Sequence, residues 1–241
     1  MTPATRARVR IVTYNIHRSR GMDRRTRPDR VASVLRTIGA DIIALQEVVG
    51  AGPNGNSHIE EIGAALGMGW VMAPTRRLRG HLFGNAVLSR FPIEHHAQHD
   101  LSWKSCEERG MQRVDIDVAG HVLHVYNVHL GTAILERRYQ ATRLASIVSD
   151  KHVTGRKIVL GDFNEWMKGL TTSLLSSRLK SVDIGKYLPR TRTYPGLFPI
   201  LHLDHIYYAG KLDVVDISMP RTARTLVASD HLPLVADIDV C

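Results

Sequence analysis

The sequence predicts an α/β fold in which mixed β-sheets are covered by helices on the outside. Three observations lead to this fold class: apolar strands alternate with helical periodicities, one antiparallel hairpin rules out a purely parallel sheet, and no repeat is found. The chain has 241 residues, a length at which layered α/β folds are routinely one domain. We therefore expect a single domain over residues 1–241, with residues 1–7 as a flexible terminus.

The first half of the chain is predicted to alternate strands and helices. A stripe of Val31, Val34, Leu35 and Ile38 predicts a helix that stops at Gly39. A loop rich in Gly and Asn then precedes a shorter helix. The predicted helices cover residues 27–38 and a segment ending near residue 67, and the loop covers residues 50–57. The predicted strands cover residues 8–16, 41–48, 70–73 and 85–89 and the vicinity of residue 93.

The second half contains the hairpin, because apolar residues alternate with polar ones on both sides of Ala119 and Gly120. A second hairpin tip, strongly basic, is predicted over residues 75–81. After one helix, an apolar strand leads directly into Gly161-Asp162-Phe163-Asn164. The hairpin covers residues 113–130, the helix covers about 135–150, and the last strands cover 203–208, 212–218 and 232–240.

Most of the net charge of +9 comes from residues 1–36, which hold ten Arg against two Asp, whereas the remainder holds 22 basic and 21 acidic residues. Arg6, Arg8 and Arg10 are predicted to be solvated surface on a frayed terminus. Five other Arg fall in one loop directly after the first strand, at the mouth of any site formed at that strand's carboxyl end, where they would attract anions. They are Arg18, Arg20, Arg24, Arg25 and Arg27.

The composition argues against a membrane-spanning or secreted protein. No apolar run approaches the roughly 20 residues of a membrane helix, and no apolar segment follows the Arg-rich amino terminus. Only Cys106 and Cys241 are present, so a disulfide framework is not expected. These features predict a cytoplasmic location.

Polar side chains stand where the predicted strands end, and their types match hydrolysis of a phosphoester with a metal ion. Asp162 and Asn164 are two residues apart, so both would point the same way if strand geometry continued through Phe163. Carboxylates suit Mg²⁺, whereas amides and imidazoles stabilise the charge of a phosphoryl transition state. The other members of the set are Asn15, Glu47, Asn127, His129, Asp204, Asp230 and His231.

The carboxylates of this set divide into metal ligands and proton acceptors. Glu47, with Asp230 or Asn15, is expected to hold Mg²⁺, and Mn²⁺ is expected to substitute for it. Asp162 is expected to deprotonate the attacking water, directly or through His231. Asn164, His129 and His231 are expected to stabilise the phosphoryl transition state, and Asp204 is expected to anchor His231.

Structural roles remain open for the same residue types. Asn15 and Asn127 could instead form hydrogen bonds with backbone groups at strand ends. Asp204 and Asp230 could instead be turn residues that precede buried strands. Glu107 and Glu108 are predicted to be charged side chains in contact with solvent and not catalytic groups.

Seven segments resemble, in order, the motifs of the endonuclease/exonuclease/phosphatase superfamily, and together they cover essentially the entire chain. They are Tyr14-Asn15-Ile16, Leu45-Gln46-Glu47-Val48, Asn85-Ala86-Val87-Leu88-Ser89-Arg90, Tyr126-Asn127-Val128-His129-Leu130, Gly161-Asp162-Phe163-Asn164, Leu203-Asp204-His205-Ile206 and Ser229-Asp230-His231. The resemblance implies a four-layer α/β sandwich, two mixed sheets packed face to face and flanked by helices, with a divalent-metal site at one end.

The resemblance also implies individual roles. Glu47 resembles the main magnesium ligand, Asp162 the water-activating carboxylate and Asn164 a phosphate contact. His129 is similar to a histidine of the deoxyribonuclease, sphingomyelinase and inositol-phosphatase branches. His17 stands where abasic-site endonucleases often place an aspartate, which disfavours a DNA-repair role. The predicted substrate-binding residues are Arg18, Arg20, Arg24, Arg25, Arg109, Asn85 and Asn127.

The expected function is magnesium-dependent cleavage of phosphoester bonds in a polyanion, and the Arg loop favours nucleic acid as the substrate. One alternative substrate is a phospholipid or inositol phosphate, for which the loop would make a peripheral membrane contact. A second alternative is an inactive binding module of the same fold. Trp103, Trp166 and Tyr194 fall in predicted loops, where an aromatic ring stacks on a base, enters lipid or packs into the core. The sequence favours neither a monomer nor an oligomer.

Overall fold

A computed structural model of the chain describes residues 6–53, 55, 57–166 and 169–241. The strands in these residues form two six-stranded sheets. The first sheet contains β1 (Ala7–Asn15), β2 (Ile42–Val49), β3 (Gly69–Leu78), β4 (His81–Ser89), β11 (Leu212–Ser218) and β12 (Leu234–Val240). The second sheet contains β5 (Ile93–Asp100), β6 (Gly110–Val118), β7 (His121–His129), β8 (Arg156–Asp162), β9 (Lys180–Ser181) and β10 (Asp204–Ala209).

Both sheets are mixed. The first has the order β11-β12-β1-β2-β4-β3, in which β1 and β2 are parallel and their other neighbours are antiparallel. The second has the order β5-β6-β7-β8-β10-β9, in which β7 and β8 are parallel. Because carboxyl ends of parallel neighbours meet at the same edge, each sheet brings two strand ends to one end of the molecule.

Helices cover the outer face of each sheet. They are α1 (Pro28–Ile38), α2 (His58–Leu66), α3 (Ile134–Val148), α4 (Leu170–Ser176) and α5 (Ala223–Ala228). The apolar faces of α1 and α2 pack on the first sheet, and those of α3 and α4 pack on the second. None of the helices within the described ranges combines the length and the apolar composition needed to cross a bilayer.

The central core lies between the two sheets. Val9, Ile11 and Ile42 of the first sheet pack against Val125 and Ile158 of the second, and all five are buried. Burial of apolar surface on both faces of each sheet is the main stabilising contribution in such a layered fold. The predicted four-layer α/β sandwich of two mixed sheets flanked by helices is confirmed.

A group of buried amides, which we call the polar clasp, joins the two sheets inside this core. Asn127 of β7 donates from Nδ2 to the carbonyl oxygens of Leu45 and Ala86, at 2.9 and 3.0 Å, in the opposite sheet. Its Oδ1 accepts from Nε2 of Gln46 at 2.8 Å. These bonds satisfy backbone groups next to the bulge in β2, and they fix the position of β7 relative to β2 and β4.

Several predicted boundaries differ from the structure for identifiable reasons. β3 and β4 extend to the turn at Arg79 and Gly80, which confirms the basic hairpin tip but makes both strands longer than predicted. β5 lies at a sheet edge and its side chains are mostly polar, so its sequence carries little apolar alternation. The helices α4 and α5 and the two-residue strand β9 were not predicted, because segments this short carry no resolvable periodicity.

The predicted flexible terminus is wrong for its last two residues, while residues 1–5 lie outside the described part of the chain. Ala7 already pairs with Val240. Arg6 and Arg8 both bind the carboxylate of Asp239, with Arg8 Nε 2.9 Å from Oδ1. Arg10 likewise pairs with an aspartate of β12. The first three Arg therefore hold two strands together and are not merely solvated.

Candidate active site

The carboxyl ends of β1, β2, β7 and β8 meet at one end of the sandwich, where a pocket of about 300 Å³ opens. Both sheets contribute to its walls. The predicted site residues that line it are Asn15, Glu47, Arg109, His129, Asp162, Asn164, Asp230 and His231. Asp204 lies behind the pocket wall, in contact with His231.

Asp162 is buried at the end of β8 and is surrounded by polar groups. Its Oδ1 accepts a hydrogen bond from the backbone N–H of Asn164 at 2.9 Å, and its Oδ2 accepts one from Asn15 Nδ2 at 3.0 Å. Oδ2 also lies 3.6 Å from His231 Nε2 and 3.7 Å from His129 Nε2. Burial raises the pKa of Asp162 to about 6, against the opposing effect of His231. The carboxylate is therefore a proton acceptor whose pKa lies close to neutrality.

His231 is held between two carboxylates. Its Nδ1 lies 3.1 Å from Oδ2 of Asp204, a fully buried residue whose other oxygen has no hydrogen-bond partner in the described residues. Burial alone would lower the pKa of His231, but Asp204 and Asp162 outweigh burial and raise the pKa to about 10. The imidazole is therefore a cation at neutral pH, with Nδ1–H donated to Asp204 and Nε2–H directed toward Asp162 and the pocket.

His129 forms the opposite wall, beneath Arg109. Arg109 Nη1 lies 3.1 and 3.2 Å from the two ring nitrogens of His129, and Arg109 Nη2 donates to Glu107 Oε2 at 2.7 Å. Glu107 also contacts Arg76. Burial, reinforced by Arg109, holds the pKa of His129 well below its ordinary value, so its ring is neutral. Glu107 is exposed, which agrees with the prediction of a solvated charge, and it also anchors the guanidinium that reaches the pocket.

Glu47 lies in a bulge of β2, two residues before the strand ends. The pairing register with β4 shifts between Leu45 and Val48, and Glu47 has a φ of 56°, in the left-handed region that a non-glycine residue rarely adopts. The bulge directs the carboxylate into the pocket, where Oε1 accepts from Asn15 Nδ2 at 3.3 Å. Backbone strain of this kind is typical of positions that aim a functional side chain.

Asn15 is oriented by the backbone that follows it. Its Oδ1 accepts from the N–H of His17 at 3.0 Å, so its Nδ2 must face the carboxylates of Asp162 and Glu47. Oδ1 keeps a second lone pair in this arrangement, so the predicted role of Asn15 as a metal ligand stays a prediction. Asn15 thereby links Glu47 of the first sheet to Asp162 of the second.

The remaining donors at this end of the pocket suit a hard divalent cation. Within the described ranges, no three His, Cys, Asp or Glu side chains converge into a complete metal cage. Mg²⁺ is usually held by one or two carboxylates, with waters and substrate oxygens completing its octahedron, so a full cage is not required. Glu47 and Asp230 both line the pocket with part of each carboxylate exposed, and the residues present fit such an ion.

Asn164 does not continue the strand. β8 ends at Asp162, and Asn164 has a φ of 49°, so the predicted same-side placement by strand period is wrong. The two residues still meet, because the Asn164 backbone N–H turns back to Asp162 while its Nδ2 donates to the carbonyl oxygen of Leu130 at 2.8 Å. A turn, and not a strand, brings them together.

A second, larger cleft of about 700 Å³ adjoins the pocket on the side of Glu47. Its walls include Arg18, Arg20, Arg24 and Arg79 and two histidines, and none of the described residues that line it is a carboxylate. Arg18 connects the two spaces, since its Nε lies 3.8 Å from Glu47 Oε2. Arg25 does not line this cleft, although it was predicted to bind substrate with the other three.

Asn85 and Asn127 are corrected from substrate contacts to structural residues. Both are buried, and neither lines the pocket. Asn85 Nδ2 donates to the carbonyl oxygen of Gly110 at 3.1 Å, and Asn127 forms the polar clasp. The backbone role that was left open for Asn127 is therefore the one observed.

Some lining residues carried no specific signal in the sequence. Trp166, Tyr194 and Thr132 border the pocket, and the ring of Tyr194 lies 4.9 Å from that of His231. Trp103, considered with them, instead packs beside Tyr139. Loop aromatics are ambiguous in a sequence, because only the loop conformation decides which of them faces a site.

Comparisons with known proteins agree with this geometry. Residues 12–231 match the Endonuclease/Exonuclease/phosphatase family. The chain is 33% identical to the uncharacterized protein YbhP of Escherichia coli (strain K12) over 244 aligned positions, which cover 95% of each chain. An endonuclease/exonuclease/phosphatase structure from Bacteroides vulgatus has a TM-score of 0.81 at 17% identity and covers 98% of this chain and 100% of its own.

Two further structural relatives differ in what they act on or bind. A mannosyl-6-phosphatase of Bacteroides thetaiotaomicron has a TM-score of 0.73 at 18% identity, over 95% of this chain and 99% of its own. TDP2 of D. rerio, solved with a single-strand DNA product, has a TM-score of 0.77 at 14% identity, over 97% of this chain and 100% of its own. At such identities the likeness extends to the fold alone. The family match over residues 12–231 shows that this chain belongs to the Endonuclease/Exonuclease/phosphatase family of hydrolases.

Proposed function

We propose that the protein is a divalent-cation-dependent hydrolase that cleaves a phosphoester bond, with a phosphodiester as the preferred substrate. The observation that carries this proposal is the row Asp204, His231 and Asp162, which ends in a pocket shared with Glu47. A buried carboxylate can accept the proton of water, an imidazolium can stabilise phosphoryl charge, and a second carboxylate can hold Mg²⁺, so together they suit hydrolysis of a phosphoester.

Asp162 is the proposed base for the attacking water. Its pKa of about 6 leaves it ionised at neutral pH and still able to accept a proton, whereas His231, with a pKa of about 10, is already protonated. Of the two routes considered, direct deprotonation by Asp162 therefore fits better than deprotonation through His231. Asn15 and the Asn164 backbone hold the carboxylate in one orientation.

Three donors are proposed to contact the phosphoryl oxygens. His231 and Arg109 supply positive charge from opposite walls, and His129 supplies a neutral imidazole between Arg109 and Asp162. Fixed donors of this kind stabilise the charge that grows on equatorial oxygens, and they need no rearrangement during the reaction. A divalent cation held by Glu47 and Asp230 would add further charge neutralisation on the substrate.

The substrate is proposed to extend beyond the scissile phosphate. The Arg-lined cleft begins beside Glu47, so a chain of phosphates that enters the pocket would place further negative charge among Arg18, Arg20 and Arg24. This supports nucleic acid as the first candidate substrate. A second candidate, a phospholipid or inositol phosphate, is favoured by a different observation, the exposed apolar residues Leu197, Phe198 and Ile200 on a loop whose base lines the pocket.

A hydrolysis panel tests the proposal. Single- and double-stranded DNA, RNA, phospholipids, inositol phosphates and the small diester bis(p-nitrophenyl) phosphate would be incubated with Mg²⁺ or Mn²⁺, with and without chelator. We expect chelator-sensitive release of product and a loss of at least about a hundredfold in the Asp162→Asn variant. If metal binding is demonstrated by calorimetry and no substrate is hydrolysed, the proposal is overturned.

A further inference from the structure

Among the described residues, the most exposed large apolar side chains lie on segments that contribute to the active-site pocket. Ile134, Leu135, Trp166, Leu197, Phe198 and Ile200, which we call the apolar rim, are each more exposed than any other large apolar side chain in the described residues. Phe198 is 80% exposed and Ile134 is 68% exposed. Single exposed apolar residues are ordinary, but a concentration of them around one opening marks an interaction surface.

Half of the apolar rim lies on a single loop that projects from the pocket wall. Tyr194 and Leu201 both line the pocket and pair with each other at the base of the loop. The intervening segment carries Leu197, Phe198 and Ile200, and Ile200 is 62% exposed. Backbone hydrogen bonds between Tyr194 and Leu201 tie the base of the loop, and the exposure of its three apolar side chains shows that they are not folded back on the core.

The other half lies across the opening, at the start of α3 and after β8. Trp166, which is 57% exposed, lines the active-site pocket and also an apolar groove of about 240 Å³ that Ile134 shares. Thr132, two residues before Ile134, lines the active-site pocket as well. The two halves of the rim therefore border the same opening from different loops.

The chemistry of the rim fits lipid better than nucleic acid. Four of its six members are aliphatic, and aliphatic side chains cannot stack on bases as aromatic rings do. Aliphatic and aromatic side chains on protruding loops do partition into the boundary between headgroups and acyl chains. A nucleic acid in the Arg-lined cleft would leave Leu197, Ile200 and Leu135 in water.

The charge around the rim matches an anionic bilayer. Residues 190–201, which contain the projecting loop, hold Arg190 and Arg192 and no acidic residue. Arg138 lies one turn after Ile134 and is exposed, whereas the neighbouring Glu136 is buried. The Arg-lined cleft, which Arg18 connects to the same pocket through Glu47, adds further cations, and cations of this kind are attracted to anionic headgroups.

We propose that the apolar rim docks the active-site face onto an anionic phospholipid bilayer, with the rim in the interface and the Arg residues on the headgroups. The inference rests on the proposed function in one respect, since the docked pocket would then act on a phosphoester presented at the lipid surface. Docking itself depends only on the rim and the surrounding charge, so it is measurable without hydrolysis.

Vesicle sedimentation with the full chain tests the proposal. Vesicles of phosphatidylcholine alone would be compared with vesicles that contain an equal share of phosphatidylglycerol, for the natural protein and for the triple variant Leu197→Ser, Phe198→Ser and Ile200→Ser. We expect binding to the anionic vesicles and a loss of at least about tenfold in the variant. The matched control is Val122→Ser with Val215→Ser, two exposed apolar residues on strands away from the pocket, and it should bind normally.

A second measurement guards against misfolding of the triple variant. In a Trp70→Phe and Trp103→Phe protein, Trp166 is the remaining tryptophan, and brominated acyl chains should quench its fluorescence if the rim enters the bilayer. Turnover of bis(p-nitrophenyl) phosphate by the triple variant should equal that of the natural protein, because its three residues lie outside the pocket lining. Unquenched Trp166 would overturn docking.

The outcomes separate docking from hydrolysis. Vesicle binding that the triple variant retains in full would overturn the proposal, as would rim-dependent binding of a single-stranded oligonucleotide without any binding of vesicles. Rim-dependent vesicle binding by a protein that hydrolyses no substrate would leave docking supported and the proposed function refuted.

Discussion

Replacing Asp204 by Asn tests the row of charges behind the pocket. Asp204 is fully buried, 3.1 Å from His231 Nδ1, and does not line the pocket. At that distance and an effective dielectric constant of about 20, its charge favours the imidazolium by about 5 kcal/mol. This free energy is comparable with the one that corresponds to the rise in the pKa of His231 from 6.5 to about 10, which occurs although burial opposes it. The isosteric Asn retains the hydrogen-bonding shape and removes the charge.

We expect Asp204→Asn to lower kcat by between about a hundredfold and ten-thousandfold while KM changes little. The reason is that the change acts through His231 and touches no substrate. The assay is turnover of bis(p-nitrophenyl) phosphate with Mg²⁺, with folding checked by circular dichroism. Asp239→Asn is the matched control, because Asp239 is also a buried aspartate but is paired with Arg8 and lies on β12 away from the pocket. A folded Asp204→Asn protein with kcat within about threefold of the natural one would refute the reasoning.

Three further predictions follow from the site and its surroundings. Glu47→Gln should raise the Mg²⁺ concentration for half-maximal turnover by at least about tenfold, because a neutral amide is a poorer ligand for a hard cation. Ala at Arg18, Arg20 and Arg24 together should raise KM for a polyanionic substrate by about tenfold or more and flatten its dependence on salt. Burial, aided by His202, lowers the pKa of His205 to about 3, so on acidification the unfolded chain takes up this proton before the folded protein does. The free energy of unfolding should therefore fall as the pH drops from about 6.5 toward 3. Urea denaturation at a series of pH values should show a weaker fall in His205→Gln.

Each of these three has its own control. An unchanged Mg²⁺ requirement in Glu47→Gln would remove Glu47 from the metal site. Arg25→Ala is the control for the cleft, since Arg25 belongs to the same loop but does not line the cleft, and a KM increase as large as that of the triple variant would make the effect one of overall charge. For His205, an acid-induced loss of stability identical to that of the natural protein would assign the loss to other groups.

The sequence was sufficient for the elements that carry strong periodicity and for the residues at strand ends. The stripe on α1, the Gly39 stop and the hairpin at Ala119 and Gly120 depend on local chemistry, and all three are present. Asp162 and Glu47 reach one pocket because parallel strands in both sheets end on the same side, a consequence of topology that the order of elements already indicated.

Other features were beyond the sequence because they depend on contacts between distant segments. Nothing local distinguishes Asn127, which is enclosed between two sheets, from Asn164, which lies at the pocket. The pairing of Glu107 with Arg76 and Arg109 needs the β3–β4 hairpin to lie beside the loop before β6, and such a contact has no periodic signature. The left-handed φ of Glu47 is likewise set by the bulge against β4.

The polar clasp has a consequence for the way in which heating would abolish the proposed activity. Glu47 and Asn15 belong to one sheet and Asp162 and His129 to the other, so a slide of one sheet across its partner by a fraction of an ångström would misalign the pocket while both backbone ladders stayed whole. On heating, turnover should therefore vanish at a lower temperature than helical and sheet signals do. The interval between those two temperatures would measure how tightly Asn127 prevents the slide.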